Sequence, residues 1–344
     1  MERILIKKTH YEVALDFLRK QYSEGFPEEI LALGKDPTYN EFGQILSSLY
    51  TYMNEYELLN AVNVMFHLYH MRYHGEKIYY VTPDLSIKLA QTSLSVDSYF
   101  LKCPFREIHV QIEPGLFHIN DVDGRKVSIN GFYVNFREEE GDKKFVRIMA
   151  SSLLKPTPKY KFNDSNFYFR LELGPGKIRP QVKKYIKENI EASDKSDILK
   201  KFDLYKNIDH FEEFAFFIFN ALLYITSQNS NQIVQEPQDF KKREKEVKTK
   251  KGRLKLAKKI GRETLQRVII IGDSTEDNKI NEVKKWGGVG AWKLKNRVHV
   301  SGYWRTQWYG SKKDNSQHSK IIWVNDYEKG PEFAELIKSK YFVK

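Results

Sequence analysis

Cysteine is almost missing from this sequence. Cys103 is the single one in 344 residues, which excludes an internal disulfide and any cluster of thiolate ligands, and suits a reducing cytoplasm. Long apolar runs are missing as well. The most apolar stretch, FAFFIFNALLYI from Phe214 to Ile225, is interrupted by Asn220 and falls short of the roughly 20 residues that a membrane-spanning helix needs. It is expected to be a buried core helix. The opening MERILIKKTHYEV breaks its apolar residues with charge and has no secretory h-region. Phosphate and metal loops are lacking too. GPGK (Gly174–Lys177) has neither the glycine spacing of a phosphate loop nor the Ser/Thr that follows its lysine. The acidic turn around Asp123 lacks the remaining spaced ligands of a calcium loop. No repeat with a period of about 20–50 residues stands out.

What the chain does have is aromatic and basic. Hydrophobic residues make up 41% and aromatics 14%, enough to bury a large core. The net charge is +12, and its location matters more than its size. FKKREKEVKTKKGRLKLAKKIGRE, Phe240–Glu263, holds twelve Lys/Arg against three Glu and so carries +9 of that total. A localised basic element is expected to meet phosphate, with Lys241, Lys242, Arg243, Lys250 and Lys251 as contacts. The plain alternative is a solvated linker.

Spacing of apolar residues predicts helices over Tyr11–Tyr22, Phe42–Met53, Leu58–Tyr73 and Pro83–Leu89, with a short strand at Ile78–Val81. From Cys103 the pattern turns to strands: Ile108–Ile112, Leu116–Ile119, Lys126–Phe136, Lys143–Ala150 and Asn166–Leu173, punctuated by turn residues. Helices return at Gln181–Glu191 and His210–Thr226, and strands at Arg267–Gly272, Arg297–Trp304 and Lys320–Val324. The layout is α+β: a helical region over 1–102, an antiparallel sheet flanked by helices over 103–235, a basic arm over 236–264, and a strand-rich end over 265–344 that completes the sheet.

Three constellations could carry chemistry. The stretch VHVSGYWRTQWYG, Val298–Gly310, followed by Lys312 and Lys313, mixes aromatics with arginine. Such surfaces stack unpaired bases or grip peptides. Its candidate contacts are His299, Tyr303, Trp304, Arg305, Trp308 and Tyr309, with Trp323 and the two lysines; half-buried structural aromatics are the competing reading. His67, His70 and His74 share a helix face, but neighbours Met65, Phe66, Leu68 and Tyr69 make packing their expected role, so no metal site is expected. NDVDGRKV and IIIGDSTED are similar to the two acidic motifs of haloacid-dehalogenase phosphohydrolases, with Asp121 as nucleophile, Asp123 as acid, and Asp273 and Asp277 on magnesium. Arg125 and Lys126 depart from that pattern, and a hairpin turn at Asp123-Gly124 explains the first motif without chemistry.

The closing pattern runs from His299-Val-Ser-Gly-Tyr303-Trp304-Arg305 through a Trp-Tyr-Gly to IIWVNDYEKGPE (Ile321–Glu332), with CPFREIHVQI leading to INGFYVNF upstream. It resembles the second-described type V-A anti-CRISPR family of phages and plasmids, over most of the chain from Cys103 onward. The resemblance implies a protein of the bacterial cytoplasm that lowers expression of a CRISPR effector nuclease. It would recognise the effector's nascent N-terminal polypeptide, and the translating mRNA would then be lost. The implied partners are that polypeptide, with the mRNA or ribosome beside it, and no membrane. Tyr303 stands where the family often has His. Acid–base work near neutral pH suits His far better than Tyr, whose pKa is about 10. No catalytic residue and no cofactor are therefore expected, although a ribonuclease or toxin-like enzyme stays open as the alternative.

Overall fold

Two threonines start the first long helices. In the computed structural model, Thr9 and Thr38 each accept from the backbone N–H three residues on, and Glu12 and Glu41 reach back to the threonine N–H groups. These are capping boxes, each contributing about 1 kcal/mol to its helix. The structure describes residues 9–120 apart from 23, 35, 54, 103 and 104, then 126–138, 144–152, 167–193 apart from 175, 204–227, 230, 232–235, 249, 251–252, 268–272, 297–311 apart from 301, 313, 316–329 and 336–337.

Along the chain come α1 (His10–Gln21), α2 (Glu28–Leu31), α3 (Tyr39–Leu49), α4 (Glu55–Tyr73), β1 (Ile78–Val81) and α5 (Pro83–Gln91). Then follow β2 (Glu107–Gln111), β3 (His118–Asn120), β4 (Lys126–Ser128), β5 (Gly131–Glu138), β6 (Lys144–Ser151) and β7 (Phe167–Leu173). Helices α6 (Ile178–Ser193) and α7 (Leu204–Thr226) precede β8 (Gln232–Gln235) and β9 (Val268–Ile271). The end holds β10 (Arg297–Val300), β11 (Tyr303–Tyr309), β12 (His318–Val324), β13 (Tyr327–Lys329) and β14 (Leu336–Ile337).

The expected α+β architecture is what forms. A mixed seven-stranded sheet runs β7-β6-β5-β2-β1-β9-β8. Strand β1 lies parallel to both β2 and β9, and the remaining neighbours pair antiparallel. Strand β9 is the C-terminal strand that completes the sheet. The later strands stand apart, as a two-stranded β11–β12 ribbon and a three-stranded β13-β10-β14 sheet. The run Lys126–Phe136 divides at Ile129-Asn130 into β4 and β5. Because β3 and β4 pair antiparallel on either side of 121–125, the first acidic motif is flanked by a hairpin. Asp121, Asp123, Asp273 and Asp277 themselves lie outside the described residues.

Strand alternation gives the sheet two buried faces. Tyr79, Val81, Ile108, Val110, Phe132 and Ile148 join a core with α5, α6 and α7. Ile78, Tyr80, Tyr133, Met149, Val268 and Ile270 join a second core with α1–α4. The result is three layers, helix–sheet–helix. Among the described residues no helix is long and apolar enough to cross a membrane.

Candidate functional site

The ribbon is built on two indoles. In the β11–β12 register Trp304 stands opposite Trp323, so both point to the same face. That face lies against α7, where the two rings meet edge-on at 4.9 Å between centroids and both are buried. Their N–H groups are satisfied: Trp304 Nε1 donates to Asn220 Oδ1 at 2.9 Å, and Trp323 Nε1 donates to Asn325 Oδ1 at 2.7 Å. Gly302 lets the Trp323 ring lie against the backbone, since a Cβ there would overlap the indole. Lys88 on α5 binds Asp326 at 3.0 Å, just past the end of β12. Trp304 and Trp323 are thus anchors, and they do not face solvent.

Beyond the anchors the ribbon leaves the core. Thr306 and Trp308 continue the anchored face, and Trp308 is 58% exposed. The opposite face carries Arg305, Tyr309, His318 and Lys320. Tyr309 stacks on His318 at 5.7 Å, and the Lys320 ammonium lies 5.4 Å from the Tyr309 ring centroid. Neither strand contains a carboxylate. Tyr303 lies near the root of this face, half-buried, and Lys313 is exposed in the loop at the ribbon tip. His299 falls on β10 opposite Glu328, and its side chain lies outside the described residues. So do Lys241, Lys242, Arg243, Lys250 and Lys312, whereas Lys251 is exposed. The arrangement can stack planar groups and pair with anions.

Sequence reading missed a second polar cluster, between the sheet and α1–α4. Glu107, His109 and Asn135 share a strand face with Tyr133. His67 Nδ1 lies 2.8 Å from Glu107 Oε1, Asn135 Nδ2 donates to Glu107 Oε2 at 2.6 Å, and His10 Nδ1 lies 2.9 Å from the Tyr133 hydroxyl. The His109 ring packs on Tyr133 at 4.4 Å, and Arg147 lies over the Tyr39 ring at 4.0 Å. Burial drives these groups to their neutral forms. It pulls His67 down to about 3, with Arg147 adding to the effect, and His10 down to about 4. His109 falls well below the usual range, and Glu107 rises well above it. We therefore read His67–Glu107 as a neutral hydrogen bond, the carboxylic acid donating to the imidazole, and not as an ion pair. The side chains of His10, His67, Glu107, His109, Tyr133 and Asn135 are essentially closed to solvent, while Tyr39 and Arg147 are half-buried. The cluster joins the helical layer to the sheet. Alternating polar residues in EIHVQ (Glu107–Gln111) hint at it, but they read equally well as a solvated face.

The histidine row of α4 divides along its length. His67 enters that cluster, while His70 and His74 face the loop at Asp36.

A family model described as AcrVA2-like, anti-CRISPR type V subtype A2 family, matches residues 79–327. The match takes in nearly the whole sheet, α5–α7 and both strands of the ribbon, and leaves out α1–α4. No curated protein matches the chain. With well over half of its residues matched, anchors and exposed ribbon included, the chain belongs to the AcrVA2-like family of type V subtype A2 anti-CRISPR proteins.

Proposed function

We propose that this anti-CRISPR protein lowers expression of a CRISPR effector nuclease by reading its nascent N-terminal polypeptide on the β11–β12 ribbon, the translating mRNA being lost as a result. The observation that carries the reading is the exposed group Arg305, Trp308, Tyr309 and His318, with half-buried Lys320 beside it, on a ribbon held by two buried indoles. A rigid root with an aromatic, cationic tip is how a peptide-reading surface limits the entropy cost of binding. Among the described residues each strand of the ribbon pairs with the other and with no third strand. An extended peptide can therefore add along an edge through main-chain hydrogen bonds, its side chains meeting Trp308 and Tyr309. The basic residues Lys241, Lys242, Arg243, Lys250, Lys251, Lys312 and Lys313 supply the complementary half, contact with ribosomal or messenger RNA phosphate.

The test is a tagged pull-down from cells translating the effector, divided between RNase, EDTA and no treatment. Ribosomes and the effector's mRNA are expected to be enriched and to be released by either treatment. Arg305→Ala with Trp308→Ala should lose the enrichment while staying folded, because both side chains are exposed. A partner captured equally with and without translation, or enrichment undiminished in the double variant, sinks the reading.

A further inference from the structure

The structure assigns a binding site for one divalent cation of the zinc class to Asp36, His70 and His74. One ring nitrogen of each histidine and a carboxylate oxygen of Asp36 lie within 4.8 Å of one another. His70 on α4 and His74, the residue just past its end, are one helical turn apart, with the His74 N–H on the His70 carbonyl at 2.9 Å, the i, i+4 spacing that puts two imidazoles on one side of a helix. Asp36 comes from the loop before α3. The donor set, two imidazole nitrogens and one carboxylate oxygen, is what zinc takes with a fourth position left open.

Each donor is already arranged for this. The carbonyl of Pro37 can only accept, so the 3.3 Å contact with His70 Nε2 puts the proton on that nitrogen. The lone pair is then on Nδ1, which is buried and has no hydrogen-bond partner among the described residues. An outer carbonyl that fixes the tautomer of a ligating histidine is the usual second shell of a metal site. His74 Nε2 and Asp36 Oδ1 stand 3.0 Å apart, close to the spacing of roughly 3.3 Å between two ligands on a tetrahedral zinc with bonds near 2.0 Å. The other Asp36 oxygen is held by Arg106 at 3.0 Å, which fixes the carboxylate and leaves Oδ1 toward the histidines. The Asp36 side chain is 47% exposed and that of His74 20%, so a cation and its water have a way in. The rings of His70 and His74 lie parallel at 5.5 Å.

The experiment uses the full chain, freed of metal by chelation, titrated with zinc by calorimetry and with cobalt(II) by visible absorption. One zinc per chain is expected, with the intense cobalt bands of a tetrahedral site and a raised melting temperature in zinc. His74→Ala and Asp36→Asn, both partly exposed and so compatible with folding, should each weaken binding by more than about 100-fold, beyond the loss of an outer partner. His318→Ala, on the ribbon, should leave it unchanged. Absence of stoichiometric binding overturns the assignment, and so does binding that survives both substitutions in chains whose circular dichroism matches the parent.

Discussion

Replacing Asn220 by leucine should weaken this protein, although the substitution makes an apolar helix more apolar. Asn220 is fully buried on α7. Its Nδ2 donates to the carbonyls of Leu89 and Thr92, each at 3.0 Å, and its Oδ1 accepts from Trp304 Nε1 at 2.9 Å. One side chain therefore closes the end of α5 and docks the ribbon. Leucine removes all three bonds. The Leu89 carbonyl keeps the N–H of Thr92 at 3.3 Å, so the orphans that matter are the Thr92 carbonyl and the Trp304 indole N–H. Each costs about 1–3 kcal/mol when stranded, and the third bond about 1. Leucine regains about 2 kcal/mol by burying its apolar surface. The net expectation is a loss of about 3 kcal/mol, read from urea midpoints at constant slope. A double-mutant cycle with Trp304→Phe isolates the ribbon bond, because phenylalanine removes the donor that leucine strands. Its coupling energy should be about 1–3 kcal/mol. Unchanged stability in Asn220→Leu, or a coupling near zero, would refute the claim that this asparagine holds the ribbon.

Gly302→Ala should destabilise by about 1–3 kcal/mol as an overpacking change, because the new Cβ overlaps the Trp323 ring; tryptophan fluorescence should report the displaced indole, and an unaltered spectrum would count against the packing described. His10 titrates near 4 in the folded chain against 6.5 unfolded. A depressed folded value means stability that is complete above pH 6.5 and is lost as pH falls toward 4, about 2 kcal/mol of it by pH 5. Glu107, whose value is raised, runs the other way, so the clean measurement is a difference: His10→Gln should shrink the loss between pH 7 and 5 by about 2 kcal/mol. Residues 79–344 expressed alone should fail to unfold cooperatively, and a sharp, reversible melt of that fragment would remove the case for an obligatory helical layer.

Local pattern carried the elements a long way. The apolar spacing of Tyr11–Tyr22 marks the helix that forms over His10–Gln21, and IYYV marks the strand Ile78–Val81. The aromatic stretch was legible as a special surface, but its division was not. That Trp304 is an anchor and Trp308 is exposed depends on where α7 ends beneath the ribbon, which no spacing within Val298–Gly310 records. Strand β8, QIVQ, is too short and too rich in glutamine to stand out from its polar flank. Most of what was missed is long-range. Strand β9 lies beside β1 although nearly two hundred residues separate Thr82 from its partner Gly272. Likewise, His67 meets Glu107 across 40 positions and His10 meets Tyr133 across 123. The polar residues of EIHVQ alternate as a solvated strand would, and only the helices packed over them make them buried.

The family match begins one residue into β1, yet the helices before it are not dispensable. The sheet face they cover carries Ile78, Tyr80, Tyr133, Met149, Val268 and Ile270. Baring six such side chains costs on the order of 10 kcal/mol, as much as the whole net stability of an ordinary domain. The same face holds Glu107 and His109, which are neutral because they are sealed. Opening that face would hydrate and ionise Glu107, and the neutral hydrogen bond to His67 would go. A member of this family with apolar residues at those strand positions must therefore supply a cover, but any amphipathic helices of the right length would serve. The match includes Trp304, Arg305 and Trp308 and leaves out α1–α4. Asp36, His70 and His74 therefore lie in this chain's own cover, apart from the ribbon.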